Sequence, residues 1–570
     1  MEVISDHDLL IVGGGAAGLR AAIAAAETNP KLNIGVISKV YPTRSHTVTA
    51  EGGIAAVMSD DDSFEDHALD TIKGSDYLAD QDIVEFFVRE CPGEIALLDS
   101  WGCPWSREEN GKIAVRAFGG MSKKRTVYAA DRVGFFMLHN LFERTLQYKN
   151  IHRYDEWFVT KLFTDEQGVC GLSALQQKEG RLVGFAARTV ILCTGGAGKL
   201  YKNTTNSNIK TGDGMALALD AGAALKDMEF IQFHPTALPK TGILITEAAR
   251  GEGGTLRNAQ GERFLKNYTP EKMELGPRDI ISRAIISEFR EGRGLKGPYG
   301  QYIHLDLTHL GEKTINEKLP QIRELTEQYL GINPIKEAIP VTPAQHYIMG
   351  GIATDIHGQT NIPGLYAAGE TACISINGAN RLGSNSLAEC LVFGREAGLH
   401  AATHGQKNAA DKKTPDDIKK LAEAENERIE ALMKQNGGEN VYHLTKDLQV
   451  TMEESAGIIR GEKPLREALE KIPDLRDRTK KIGLKNKQKV FNQELTAKLE
   501  LDGMLNLAET VLLSAINRTE SRGAHFREDY PHRDDQNFLI HQMASMQNGR
   551  INIEKQPVTI TRWQPAERNY

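Results

Sequence analysis

Asp8-Leu9-Leu10-Ile11-Val12-Gly13-Gly14-Gly15-Ala16-Ala17-Gly18 runs from a short apolar stretch into a glycine cluster. Residues 8–12 predict a buried strand, residues 19–27 an alanine-rich helix and residues 33–38 a second strand. Gly13, Gly15 and Gly18 then form G-x-G-x-x-G at a strand-to-helix junction inside a βαβ unit, the setting in which that pattern holds a dinucleotide. Glycine permits the tight turn and the close approach of backbone to a pyrophosphate, and the helix N-terminus supplies oriented N–H donors. The three glycines alone would be weak, but the flanking strand and helix make them specific. One departure stands out. An acidic ribose partner is expected about 20 residues on, at the end of the second strand, and Ser38-Lys39 occupies that place. This argues against a plain nicotinamide dinucleotide site.

Working outward, residues 157–192 hold three strand-like runs separated by Asp165-Glu166-Gln167-Gly168 and Lys178-Glu179-Gly180, a small meander feeding a strand at 189–193. Thr194-Gly195-Gly196-Ala197-Gly198 closes that strand, and a second glycine-rich strand end is typical of FAD proteins. Thr211-Gly212-Asp213-Gly214 precedes a helix at 215–221, with Asp213 either a cofactor contact or a helix cap. A mixed, charged segment at 234–345 interrupts the pattern, which resumes at Gly364-Leu365-Tyr366-Ala367-Ala368-Gly369-Glu370. Thr414-Pro415-Asp416-Asp417 has the form of a helix start, with a capping threonine and proline in the first turn. Ile418, Leu421, Ile429, Leu432 and Met433 follow at helical spacing, and Leu501, Leu505, Ala508, Leu512 and Ala515 form a second stripe. Such stripes read as bundle core. Val558-Thr559-Ile560-Thr561 predicts a short closing strand. The expected fold is α/β: a Rossmann-like FAD-binding domain (1–233 and 346–402) with an inserted α+β cap (234–345), a helical bundle (403–535) and a short tail (536–570).

At 570 residues the chain is too long for one core. Apolar residues at 40% and charged residues at 25% describe a soluble globular protein. Its 69 basic and 76 acidic residues offer no basic face, so no nucleic-acid partner is expected. No apolar run approaches the roughly 20 residues of a membrane helix, and residues 1–8 are acidic where a signal peptide would be basic. Membrane attachment is therefore expected only through partners. The six cysteines form no Cys-x-x-Cys pair, so neither a disulfide framework, a metal site nor an iron–sulfur cluster is expected within the chain.

Several polar constellations remain: Arg44-Ser45-His46-Thr47-Val48-Thr49-Ala50-Glu51-Gly52-Gly53, Phe233-His234-Pro235-Thr236, Thr246-Glu247-Ala248-Ala249-Arg250, Leu275-Gly276-Pro277-Arg278-Asp279, Gln345-His346-Tyr347 and Gly378-Ala379-Asn380-Arg381-Leu382-Gly383-Ser384-Asn385-Ser386. Together they resemble the flavoprotein family of succinate dehydrogenase and fumarate reductase. The resemblance runs from residue 8 to about 398, weakens across the bundle and resumes at Glu520-Ser521-Arg522-Gly523-Ala524-His525. It implies FAD bonded covalently to His46. The cofactor would lie against Gly13, Gly15, Ala16, Gly18, Ser38 and Lys39, then Ser45, Thr47, Gly52, Thr194, Gly195 and Asp213. Glu370, Arg381, Ser384, Ser386 and Leu387 would complete that set. It also implies a dicarboxylate site of His234, Thr246, His346 and Arg381, lined by Phe118 and Gly53.

The residue types suit that chemistry. Succinate and fumarate present two anions, so cations and donors are needed at both ends. Arg381 can grip one carboxylate with its planar fork, and His234, His346 and Thr246 can donate to the carboxylates. Twisting one carboxylate out of the alkene plane would make fumarate a better hydride acceptor, a hypothesis of substrate strain. As hydride moves at one central carbon, a proton moves at the other. The resemblance assigns that proton to Arg278, relayed by Glu247 and Arg250. Arginine is an unusual acid, with a pKa above 12, although burial among other cations favours release of its proton. The alternative makes Arg278 an electrostatic clamp and His346 or His234 the acid.

The resemblance further implies a separate iron–sulfur subunit and quinone-reactive membrane anchor subunits, with this chain peripheral on the cytoplasmic face of the membrane. Trp101-Gly102-Cys103-Pro104-Trp105-Ser106 is closer to the fumarate reductase branch, whereas Ala249 stands where many of that branch carry cysteine, so the direction of turnover stays open. Residues 521–535 read as a solvated charged face, which the resemblance places near the iron–sulfur partner. Two other readings are an L-aspartate oxidase-like flavoenzyme, against which His46 speaks, and a non-catalytic flavoprotein scaffold, which has no need of Thr246, Arg278, His346 and Arg381 together.

Overall fold

In the computed structural model, which describes residues 2–5, 7–405 and 413–568, Leu9–Val12 is a buried strand and Ala16–Thr28 the helix that follows. The helix begins earlier than expected, so Gly18 lies inside it. A Cβ there would stand 1.9 Å from the Gly13 carbonyl oxygen, which makes Gly18 a packing glycine rather than a ligand contact. Gly13 has a φ of +122°, and its Cβ would meet the Cys193 carbonyl at 2.1 Å, where the two glycine-rich strand ends cross.

Five parallel strands form the central sheet in the order Leu365–Ala367, Thr189–Leu192, Leu9–Val12, Ile34–Ser38 and Ile151–Asp155. The helix Asn385–His400 packs on Ala16–Thr28 through glycines: Cβ atoms at Gly394 and Gly398 would lie 2.7 Å and 2.2 Å from the carbonyls of Ala17 and Ala21. This close crossing carries the N-terminus of Asn385–His400 to the carboxyl ends of the strands, where ligands bind in open α/β sheets. The meander is present as Trp157–Asp165, Gly168–Gln176 and Arg181–Ala186, all antiparallel. Glu2–Ile4 joins it as a parallel edge strand that the sequence did not announce.

Ile231–Ala237 leads into the inserted segment and Ile339–Ile348 leads out, and the two pair antiparallel. Gly300–Asp306 and Thr255–Arg257 extend that sheet. Leu238, Ile281, Ile285, Ile303, Leu305, Ile339 and Val341 belong to an apolar cluster of its own. Entry and exit strands lying side by side explain how so long an insertion leaves the dinucleotide sheet intact.

Thr414 caps Pro415–Lys434, accepting the Asp417 N–H at 3.2 Å. The predicted stripe on this helix needs correction: Leu421 is 40% exposed and Leu432 half-buried, while Ala422 and Glu425 are buried. The buried face is therefore 418, 422, 425, 429 and 433, and Arg428 pairs with Glu425 at 2.7 Å. On Gln493–Asn517 the predicted stripe is buried throughout, in one cluster with Leu10 and Val190 of the central sheet. The bundle and the sheet thus share a core. Within the expected bundle, residues 406–412 lie outside the described residues, as does the end of the tail at 569–570.

The closing strand is misplaced in the sequence reading. Ile540–Gln547 and Arg550–Pro557 form the hairpin, and 558–561 lies beyond it. Thr559 instead gives its N–H to Asp80 at 2.7 Å. Nor is the first half of 521–535 a solvated face. Arg522, His525 and Arg527 are buried, with Arg518 just before them. Arg518 pairs with Glu229 at 2.6 Å, Arg522 with Glu520 at 2.8 Å and Arg527 with Glu462 at 2.6 Å, the condition under which buried charge is tolerated. Gly523, at a φ of +53°, would place a Cβ 2.5 Å from the Ala379 carbonyl, and the Ala524 N–H donates to that carbonyl at 2.9 Å. The run braces the loop that ends in Arg381. Among the described residues no helix is long and apolar enough to cross a membrane.

A buried histidine fastens the hairpin. His541 Nδ1 lies 2.6 Å from Asp227 and its Nε2 3.2 Å from Asp80. Burial alone would lower its pKa, but the Asp227 charge and the hydrogen bonds to both carboxylates outweigh it and raise it to about 9. A raised pKa adds stability that is complete below the unfolded value near 6.5 and disappears as pH rises through 9. The span corresponds to about 3 kcal/mol. Urea denaturation from pH 6 to 9.5 is expected to show that decline in the parent and its absence in His541→Gln. Equal declines in both would sink the assignment.

Candidate active site

A cleft of about 690 Å³ opens at the carboxyl ends of the parallel strands. Gly13, Gly15, Ala16, Ser38 and Lys39 line it from the first βαβ unit, and Ser45, His46, Thr47, Gly52 and Gly53 from the loop after it. Thr194, Gly195, Asp213, Glu370, Ser384, Ser386 and Leu387 come from the later strand and helix ends. Phe118, His234, Thr246, Glu247, Arg278, His346 and Arg381 converge at one end. Of the residues picked from sequence, Gly18 and Arg250 do not reach the wall. Gly18 packs within its helix, and Arg250 lies buried behind Glu247, 3.6 Å from that carboxylate.

At that end, Arg278 donates from Nε to Glu247 Oε2 at 2.8 Å and from Nη1 to Gln232 Oε1 at 3.0 Å. Arg381 donates from Nη2 to the same Gln232 oxygen at 3.2 Å and lies over the Tyr347 ring, 4.4 Å from its centroid. Tyr347 in turn donates to Glu389 at 2.6 Å. The second oxygen of Glu247 accepts the Gly119 N–H at 2.5 Å, and Arg250 donates to the Glu274 carbonyl. The His234 and His346 rings stand 5.0 Å apart.

The electrostatics follow. Arg250 and Arg278 share the carboxylate of Glu247, and Arg381 stands close to Arg278 with Glu370 and Glu389 beyond it, so three guanidinium groups gather at this buried end where a dianion would find cationic partners. Burial, and then the charges of Arg278 and its neighbours, hold both His234 and His346 well below the ordinary imidazole pKa. Both are neutral at physiological pH. The Thr236 N–H donates to His234 Nδ1 at 3.3 Å, which leaves the ring proton on Nε2 as a donor. Burial, with Arg278 adding to it, lowers Arg381 to about 10. Burial also lowers Arg250, reinforced by Arg278 although Glu247 opposes it. Glu247 is pulled below the usual carboxylate range because Arg278 and Arg250 overcome its burial.

The other end fits a dinucleotide. The first turns of Ala16–Thr28 and Asn385–His400 both reach the cleft, so the N-terminal ends of two helices point where a pyrophosphate would lie. Two glycines on the cleft wall are held tight against other residues: a Cβ on Gly14 would meet Ser38 Oγ at 2.9 Å, and one on Gly195 would meet Lys210 Nζ at 2.5 Å. Ser45 Oγ is buried with no hydrogen-bond partner among the described residues. Asp213 is not the cap of Asp213–Asp220, since Gly212 holds that position with a φ of +82°. Its carboxylate instead accepts from Lys39 at 2.8 Å and from the Thr211 hydroxyl at 2.6 Å.

Some partners escaped the sequence reading. Gln232 joins Arg278 to Arg381, and its position two residues before His234 on one strand was the available signal. Lys210 pairs with Glu370. Thr205 stands 2.8 Å from His346 Nδ1. These last pairs join distant segments and leave no local pattern.

A model of the FAD binding domain matches residues 8–387, and a model of the fumarate reductase flavoprotein C-terminus matches 445–570. The chain is 53% identical, over 99% of both chains, to a fumarate reductase flavoprotein subunit of Mycobacterium tuberculosis. The chain belongs to the succinate dehydrogenase and fumarate reductase flavoprotein family. A succinate dehydrogenase flavoprotein subunit of Coxiella burnetii is 42% identical over 94% of both chains. The solved structure of an Escherichia coli quinol fumarate reductase FrdA variant superposes with a TM-score of 0.97 at 47% identity, covering 100% of this chain and 99% of that one. Family membership confirms the resemblance seen in the sequence and the α/β fold with its C-terminal helices. Relatives carrying both names leave the direction of turnover open.

Proposed function

We propose that this chain is the flavoprotein subunit of an enzyme interconverting succinate and fumarate, with FAD bonded covalently through His46. The observation that carries the reading is the Arg278–Glu247–Arg250 chain meeting His234, Thr246, His346 and Arg381 at one cationic cleft end. FAD, when bound, supplies the hydride chemistry. It would be held by the glycine-rich strand ends, Ser38, Lys39, Ser45, Thr47, Asp213, Glu370 and the first turn of Asn385–His400. Residues 1–233 and 346–402 form the FAD domain in this reading, 234–345 the substrate cap, and 403–535 the helical domain.

Arg381, held over the Tyr347 ring, grips one carboxylate, and His234, His346 and Thr246 donate to the dianion. With Nε and Nη1 of Arg278 taken by Glu247 and Gln232, Nη2 remains to give the proton to the central carbon. Glu247 and Arg250 restore it. A neutral imidazole is a weak acid, so the low pKa values of both histidines favour Arg278 over the histidine alternative. Electrons pass to or from an iron–sulfur subunit and a quinone-reactive membrane anchor, with the chain peripheral on the cytoplasmic face.

Fumarate-dependent oxidation of a reduced low-potential dye tests the core of this reading. The purified, FAD-loaded chain is expected to oxidise the dye rapidly with fumarate and slowly without it. Bound flavin with no fumarate dependence would break the assignment and favour a scaffold.

A further inference from the structure

The place where a dinucleotide fold puts its ribose-binding acid, the end of the second strand, holds Ser38-Lys39 here. Lys39 is surrounded. Its Nζ donates to Asp213 Oδ2 at 2.8 Å, Thr211 Oγ1 at 3.1 Å and the Ile209 carbonyl at 3.3 Å, and it is ion-paired with Glu500. Glu500 belongs to Gln493–Asn517, a helix of the C-terminal region far along the chain from the dinucleotide unit. Lys39 and Asp213 line the cleft, and Glu500 stands behind Lys39. Two carboxylates flanking one ammonium leave the cluster with one net negative charge, as a single strand-end acid would.

The same helix presses on the segment that presents Asp213. A Cβ on Gly212 would stand 2.3 Å from Leu507 Cδ1, one on Gly503 would stand 2.9 Å from the Ala216 side chain, and Asn506 donates to Asp220 at 3.0 Å. Packing along Asp213–Asp220 and the Glu500 charge therefore reach the cleft from one element.

We propose that Glu500 is a cofactor-positioning residue. By holding Lys39 from behind, it keeps the Asp213 carboxylate turned to the cleft in place of the missing strand-end acid, and it couples dinucleotide binding to docking of the C-terminal helix. This rests on the FAD reading above. Without the Glu500 charge, Lys39 draws on Asp213 alone and the cluster becomes neutral, which weakens the Asp213 carboxylate as an acceptor for a ribose hydroxyl.

The test uses the full chain carrying His46→Ser, so that FAD binding is reversible, and reads the FAD dissociation constant by fluorescence titration. Glu500→Gln is expected to raise it about tenfold, the effect of one charged hydrogen-bond partner. Glu509→Gln, on the same helix but paired with Arg476, is expected to leave it unchanged. In a Lys39→Gln background, where Glu500 has no cation to hold, Glu500→Gln should weaken FAD no further, whereas a merely structural role would add its full effect. FAD should also slow amide exchange across residues 493–517. Binding within twofold of the His46→Ser parent, full additivity with Lys39→Gln, or unchanged exchange would each overturn the proposal. Folded His46→Ser chain that binds no FAD would break the cofactor reading itself, and this proposal with it.

Discussion

Arg278→Gln is expected to lower fumarate reduction on the order of 10³- to 10⁴-fold, the upper range for loss of a positioned proton donor. The substitution is expected to leave FAD binding intact, because Arg278 touches Glu247 and Gln232 at the end of the cleft away from the glycine-rich strand ends. Two features separate a proton donor from a clamp. A clamp contributes chiefly to binding the dianion, so its loss raises KM, whereas a lost donor lowers kcat. The companion variant Glu247→Gln keeps the shape of the chain and removes only the carboxylate that reloads Arg278. It should lower kcat on the order of 10²-fold with little change in KM. If His346 or His234 were the acid, Arg278→Gln would retain kcat within about tenfold and lose affinity instead. Steady-state kinetics with saturating fumarate decide between them.

The dinucleotide unit was legible because its signal is local: a strand, three glycines and a helix within a few dozen residues. The substrate end was legible as a set of residue types and not as a geometry. Nothing in the sequence says that Gln232 bridges Arg278 and Arg381, or that Arg250 stands behind Glu247 rather than in the wall. The errors share a cause. Arg522 and Arg527 read as exposed because local acids such as Glu520 and Asp529 look like surface partners, while the contacts that bury them, the Asp76 carbonyl and Glu462 among them, are remote in the chain. Val558-Thr559-Ile560-Thr561 has strand-forming side chains, but Asp80 and Gln81 meet its backbone where a neighbouring strand would be needed. Leu421 has the right spacing from Ile418 and falls at the edge of the buried face, which only the packed neighbour defines. Spacing specifies which residues share a face, and tertiary packing chooses the face that is covered.

His46→Ser is expected to release flavin from acid-denatured protein, whereas the parent precipitate stays yellow. His46 sits on the 3₁₀ turn His46–Thr49 at the cleft wall, with its Nδ1 3.5 Å from the Ser207 N–H and 3.2 Å from the Thr49 hydroxyl. Burial, helped by the Lys210 ammonium, lowers its pKa to about 3, so the imidazole carries an unprotonated nitrogen at neutral pH, as bond formation to a flavin demands. Serine keeps a small polar side chain in the turn and offers no such nitrogen, so FAD should still bind. The catalytic consequence is asymmetric. A covalent histidine raises the flavin potential, as the family resemblance implies, and succinate oxidation needs that potential more than fumarate reduction does. For a two-electron couple each 30 mV lost shifts the equilibrium about tenfold, so a fall of about 100 mV would suppress succinate oxidation on the order of 10³-fold. Fumarate reduction by a strongly reducing dye should stay within about tenfold of the parent, since Arg278 and the relay proposed through it are untouched. Flavin colour retained on the denatured variant would place the bond elsewhere, and equal loss of both directions would mean that His46 shapes the site rather than the potential.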